Sequence, residues 1–144
     1  MGPSVFRATE LRSEGFLRAA AAKGAKIELF QFDSEFDPQV DIEERLSGIN
    51  FCKYDGVFVF NDIAAAKVLQ YLGENRIRVP QEIRVIGFDD NFVDKMLSPR
   101  LTTIRQSVEE AARICLDTLL QRVTKKKLPR VDVVFDVELV VRES

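Results

Sequence analysis

The sequence predicts an α/β fold, a three-layer sandwich in which a mostly parallel sheet carries helices on both faces. Three observations predict it. Helical patterns alternate with short strand-like runs along most of the chain, the order expected of a parallel sheet. The apolar runs at residues 57–60 and 83–88, rich in Val, Ile and Phe, read as buried strands. Each is followed at once by a polar pair, Asn61-Asp62 and Asp89-Asp90.

Taken in order, residues 1–6 carry no pattern of their own. Residues 9–23 turn helical: Thr9 can cap, Glu10 suits the first turn, and Gly24 follows the last basic residue. Gly15 inside that helix is costly by propensity, so close packing or a ligand is expected there. Residues 26–32 (KIELFQF) alternate roughly and read as a strand. Asp37 and Pro38 form an N-cap and first-position proline pair, opening a helix through Leu46 that Gly48 can end. Tyr54-Asp55-Gly56 introduces the strand at 57–60, and an alanine-rich helix runs from Ile63 to about Leu72, with Gly73 near its end. After Pro80 comes the strand at 83–88, where Gly87 permits a close backbone approach.

Residues 91–100 read as a loop, with Pro99 stopping helix propagation, and 101–104 as a short strand or crossover. Ser107 and Glu110 form a capping box. The helix they open places Val108, Ala112, Cys115, Leu119 and Val123 on one stripe, with three lysines at 125–127 near its C-terminal end. Residues 131–135 and 138–141 read as closing strands. No internal repeat or low-complexity linker interrupts the pattern.

The totals bound the function. A chain of 144 residues has room for one domain with a real core. Its 46% hydrophobic and 31% charged content is ordinary for a soluble globular protein. A net charge of −2 argues against a nucleic-acid surface on this chain, since such domains carry a clustered basic face. Histidine is absent, which removes the commonest general base and metal ligand. Cys52 and Cys115 stand far apart and form neither a zinc signature nor a disulfide framework, so a cytoplasmic, reducing setting is expected. No apolar run approaches the roughly 20 residues that span a membrane, and the start lacks a basic-then-apolar signal. No cofactor or metal is implied.

Right-handed crossovers put the C-terminal ends of parallel strands on one edge, where open α/β sheets bind ligands. Asn61 and Asp89 therefore become candidate binding residues. A carboxylate at Asp89 can accept from hydroxyls or ring N–H groups of a small polar ligand. The plainer alternative is a turn-forming Asp-Asp pair, a description that fits Asp90. Asn61 can bind through its amide while Asp62 caps the next helix, or both can be capping residues only. Arg12 presents a planar fork of donors, against the alternative of a surface arginine. The acidic pairs Asp89-Asp90 and Glu43-Glu44 do not amount to catalysis: adjacent residues do not face one substrate from two sides, and no nucleophile, base or metal set accompanies them.

The stretch from 79 to 106, with VPQEIRVIGFDD followed by SPRLTTIRQ, resembles the effector-binding core of the lactose/galactose-repressor family of bacterial transcription regulators. The terminal LVVRES resembles the way these cores finish, and residues 12–16 (RSEGF) resemble the family's Arg-x-x-Gly-Phe helix start. The resemblance implies one lobe of a periplasmic-binding-protein-like type I fold, with Arg12, Asn61 and Asp89 facing a small-molecule effector, a sugar or nucleoside-like metabolite. Phe32 or Phe36 would supply an aromatic wall, with Phe32 taken as the candidate. The local FQFDSEFDP departs from the family's usual Gly-Asp-Phe pattern, and core packing is the alternative for either ring.

A full family member has a helix-turn-helix head, a hinge and two lobes. Residues 1–144 resemble the second lobe, so a partial effector-binding domain is expected, reaching DNA only through a head outside this sequence. The helix at 107–124 would then lack the first lobe on which it packs, and a homodimer or helix-swapped oligomer is expected. The runner-up is a sugar-binding receptor of a transport system, which would need an export signal. The LTTIRQ and VVRES patterns look like the repressor branch. An enzyme ranks third.

Overall fold

The computed structural model describes residues 5–30, 42–124 and 129–144. Strands β1 (Gly56–Phe58) and β2 (Arg84–Ile86) pair in parallel, with Val57 opposite Val85. Past Ile86, isolated parallel bridges join Ile86 to Thr102 and Asp89 to Arg105. The N–H groups of Gly87 and Asp89 donate to the Thr102 and Ile104 carbonyls, each at 2.9 Å. Strand β3 (Thr103–Gln106) thus runs beside the continuation of β2, and β4 (Val137–Val140) closes the array antiparallel, with Leu139 opposite Ile104.

Four helices accompany these strands: α1 (Val5–Ala22), α2 (Ile42–Ser47), α3 (Asp62–Glu74) and α4 (Val108–Thr124). In α3 the buried Ala65, Val68, Leu69 and Leu72 fall on one face by helical period. They meet Ile83, Val85, Val59 and Leu101 from the sheet side, together with Leu46 of α2 and Phe51, in one core. Each large aliphatic residue fully buried there contributes roughly 1.5–3 kcal/mol. The pleat sends Phe58 the opposite way from Val57 and Val59. Its ring stacks on Phe16 of α1 at 4.8 Å between centroids, which places α1 on the second face. The expected α/β arrangement with helices on both faces is therefore present.

Several local expectations are corrected. Helix α1 is already formed at Val5, so Thr9 lies inside it and is not its cap. A Cβ at Gly15 would meet nothing within 4 Å among the described residues, so close packing against them does not explain that glycine. Residues 26–30 form no ladder, although Phe30 sets its ring edge-on to Tyr54 at 5.9 Å and the Tyr54 hydroxyl donates to Glu28. Alternation prepares one face for burial, but a strand also needs an aligned partner for its backbone groups. Likewise, of the two closing strands expected, only Val137–Val140 pairs, and residues 131–135 are irregular. The pair Asp37-Pro38, the aromatics Phe32 and Phe36, and the lysines 125–127 lie outside the described residues.

Helix α4 has the expected stripe but no cover. None of its residues is buried, and Val108, Leu119 and Val123 are 63%, 59% and 73% exposed. At its head the Ser107 carbonyl accepts from Ala111 N–H, while the Ser107 hydroxyl donates to the Asp136 carbonyl at 3.3 Å.

Candidate functional site

Because β1 and β2 are parallel, their C-terminal ends open on the same edge. Asn61 follows β1, with its backbone extended, and its side-chain oxygen accepts from Ala64 N–H at 2.8 Å to cap α3. The cap uses the amide oxygen, so the amide nitrogen is not engaged in it. Asp89 follows β2 with φ 124°, and Asp90 comes next with φ 57°, both in the left-handed range that costs an L-residue energy. Arg12 reaches the same edge from α1. Its guanidinium donates to the Phe60 carbonyl at 2.7 Å and to Asp89 Oδ1 at 3.1 Å, and lies 3.9 Å over the Phe88 ring. Gln106, at the end of β3, donates to the same Asp89 oxygen at 2.8 Å.

Beneath this surface lies a second layer that fixes the turn. The Asp90 carboxylate accepts from Arg105 at 2.6 Å and from Arg142. Arg142, with a side chain 9% exposed, also donates to the Leu101 carbonyl at 2.6 Å. Asp62 is wholly buried and does not cap α3 as expected of it. Its carboxylate accepts from the Thr103 hydroxyl at 2.6 Å and from Asn91 N–H at 3.0 Å. Asp94 is equally buried, and among the described residues its oxygens meet no hydrogen-bond donor.

The carboxyls divide by environment. Burial raises Asp89, helped by the Asp62 charge, while Arg12 and Gln106 offset part of that rise. At Asp90 burial acts upward too, but the Arg142 and Arg105 guanidiniums outweigh it and hold the group below the usual range. Burial, and then the facing Asp62 carboxyl, push Asp94 up to about 7.

The structure therefore brings together three of the four residues expected at the site: Arg12, Asn61 and Asp89. Phe32 lies outside the described residues. Sequence reasoning missed Gln106 and Phe88, both inside motifs already singled out. The signal for Gln106 was its place at the tip of β3, beside the Asp89 turn. Arg12 and Asp89 balance each other's charge, so the edge offers donors and acceptors without net charge. No group of His, Cys, Asp or Glu side chains among the described residues could hold a metal ion. The arrangement suits a neutral, hydroxyl-rich or amide-bearing ligand.

The family profile described as "Periplasmic binding protein-like domain" matches residues 1–144. The chain belongs to that family. Among curated relatives of this periplasmic binding protein-like domain is the HTH-type transcriptional repressor PurR of Pasteurella multocida, 32% identical over 136 residues, covering 92% of this chain and 40% of that protein. Another is the ribose operon repressor of Escherichia coli, 34% identical over 134 residues, covering 88% of this chain and 39% of that protein. The periplasmic binding protein-like domain thus spans about two fifths of these relatives' length, at 40% and 39%. A solved periplasmic binding protein/LacI transcriptional regulator from Alkaliphilus metalliredigens, complexed with D-xylulofuranose, is 41% identical with a TM-score of 0.85, covering 99% of this chain and 53% of that one. A transcriptional regulator CelR–cellobiose complex is 27% identical with a TM-score of 0.72, covering 92% of this chain and 41% of that one. The resemblance to lactose/galactose-repressor regulators holds across these relatives.

Proposed function

We propose that this domain is the second lobe of an effector-sensing core in a bacterial transcriptional regulator, and that it binds a sugar or nucleoside-like metabolite. The observation that carries the reading is the convergence of Arg12, Asp89 and Gln106 at the sheet edge where Asn61 also ends. Asp89 and Gln106 address ligand hydroxyls, Arg12 supplies a fixed fork of donors, Asn61 adds an amide donor, and Phe32 contributes an aromatic wall. The ligand's opposite side is covered by a first lobe. Binding then favours one closure state of the two lobes and so alters how a DNA-binding head sits on its operator. DNA is reached only through that head.

The curated relatives are named as repressors and regulators, which favours regulation over a transport receptor. We assign the domain no catalytic role and a cytoplasmic place; no helix among the described residues is long and apolar enough to cross a membrane. We assign the bare stripe of α4 to an interface: with a first lobe, or between copies of this chain as a homodimer or an exchanged helix.

The test is a chimera that joins this chain to the remaining part of the D-xylulofuranose-bound regulator, titrated calorimetrically with xylulose, ribose and glucose. One sugar should bind in the micromolar range, while the chain alone, as half a cleft, binds none more tightly than millimolar. Asp89→Asn and Arg12→Met should each weaken binding about a hundredfold, the loss expected when a charged hydrogen-bonding partner is removed. Affinities within twofold of the parent in both variants would exclude the reading.

A further inference from the structure

We infer that Asp94 is a positioning residue for the Asp89–Asp90 turn, holding it in shape by donating a carboxyl proton to Asp62. The inference rests on the effector role proposed above for Asp89, because that turn is what presents the Asp89 carboxylate.

Asp62 is the hub under the turn. Its backbone N–H donates to the Phe88 carbonyl at 2.9 Å, and its carboxylate accepts from Asn91 N–H at 3.0 Å. Through the Thr103 hydroxyl, 2.6 Å from Asp62 and 3.4 Å from Asp90 N–H, it also reaches the middle of the turn. Residues on both sides of Asp89 are therefore tied to one buried residue, Phe88 through the Asp62 backbone and Asp90 and Asn91 through its side chain. Asp62 has no room to move toward the strand, since even a Cβ at Gly87 would come within 2.1 Å of its Oδ1.

Asp94 faces this hub from the 3-10 turn Phe92–Lys95. Its two oxygens are buried and have no donor among the described residues. The groups around it are Asp62 at the head of α3, Asp90 after β2, and Arg142 after β4. Arg142 Nη1 stands 3.8 Å from Asp94 Oδ2, too far for a hydrogen bond, and already donates to the Leu101 carbonyl, while Nη2 of the same guanidinium donates to Asp90. Two buried carboxyls facing each other are satisfied only when one proton lies between them. Asp62 is the better acceptor, because Thr103 and Asn91 already stabilise its charge. Asp94 is consequently the proton carrier. When that proton leaves, two buried negative charges repel, the Asp62 carboxylate is pushed out of line with the Asn91 and Thr103 donors, and Asp89 loses the support for its left-handed backbone.

The test follows the carboxyl carbon of Asp94 by NMR across pH, with amide hydrogen exchange at Asp89, Asp90 and Asn91 corrected for intrinsic rates. The Asp94 carbon should titrate above pH 6. Protection at the three amides should fall about tenfold between pH 5.5 and 8, the change that one unit of differential proton affinity produces. Asp94→Asn, whose amide donates to Asp62 at every pH, should abolish that dependence and keep the turn protected at pH 8. A carbon midpoint in the ordinary carboxylate range overturns the assignment, as does an Asp94→Asn variant with the wild-type slope. If Asp94→Asn does not fold, the wild-type titration decides alone. Neither readout uses an effector, so failure here is distinct from failure of the binding role, which shows only as Asp89→Asn retaining affinity in the chimera.

Discussion

Gly87→Ala is expected to be among the most damaging single-methyl additions to this chain. The added Cβ would lie 2.1 Å from Asp62 Oδ1 and 3.0 Å from Leu101 Cδ2, and a separation near 2 Å is far inside contact distance. Asp62 cannot yield cheaply. Swinging its carboxylate away gives up the 2.6 Å bond from Thr103 and the 3.0 Å bond from Asn91, both to a charged and fully buried acceptor. Hydrogen bonds to charged groups contribute about 1.5–3 kcal/mol each. Losing one and straining the other costs about 3–4 kcal/mol, from which about 0.5 kcal/mol is recovered because alanine has less unfolded-state freedom than glycine. The net loss, about 3 kcal/mol, is a large share of the 5–15 kcal/mol typical of a whole domain. Urea unfolding followed by far-ultraviolet circular dichroism measures it. Gly15→Ala is the internal control: with nothing within 4 Å of its Cβ and an ordinary helical φ, it should stabilise by about 0.5–1 kcal/mol. A Gly87→Ala loss below 1 kcal/mol would mean that Asp62 is not pinned as described, and the account of the turn would fall with it.

Three further outcomes are expected. Stability should peak in mildly acidic solution: Asp94, whose folded pKa is raised to about 7, holds a proton that the unfolded chain releases near pH 4, so stability falls by about 4 kcal/mol as pH rises across that window. Asp90 acts oppositely, since its folded pKa is lowered and its contribution is lost on acidification below about pH 4; urea midpoints at pH 3, 5 and 7.5 should be highest at pH 5, and a steady rise to 7.5 would contradict the assignment. Arg142→Met should cost about 3 kcal/mol in the same assay, because it strands the buried Asp90 charge and the Leu101 carbonyl, and a loss under 1 kcal/mol would show that Arg105 alone holds Asp90. On α4, Leu119→Glu with Val123→Lys should convert self-associating chain to monomer in light scattering while leaving its unfolding midpoint nearly unchanged, since both side chains are already exposed; wild-type chain that stays monomeric well above micromolar concentration would refute the sticky-face reading.

What the sequence by itself determined is the local chemistry of the strand ends. The apolar runs before Asn61 and Asp89, and the helical period of Ala65, Val68, Leu69 and Leu72, depend on neighbours a few positions away, so they were legible in one dimension. The parallel order followed from alternation of elements and placed Asn61 and Asp89 on one edge, whereas Arg12 was expected there only from the family resemblance. The strand expected at 26–32 has no ladder over its described part, 26–30, because alternating hydrophobicity describes one residue's two faces and says nothing about an available partner. Only the tertiary structure decided what holds the edge in place. Asp62 meets Thr103 across 41 positions, Asp89 meets Gln106 across 17, and Asp90 meets Arg142 across 52. Those bonds require β3 and the C-terminal segment to arrive beside β2 in a specific register, and no local propensity encodes that arrival. Burial then does the rest: an aspartate reads alike in any sequence, and whether it caps a helix, binds a ligand or keeps a proton depends on the groups folding brings against it.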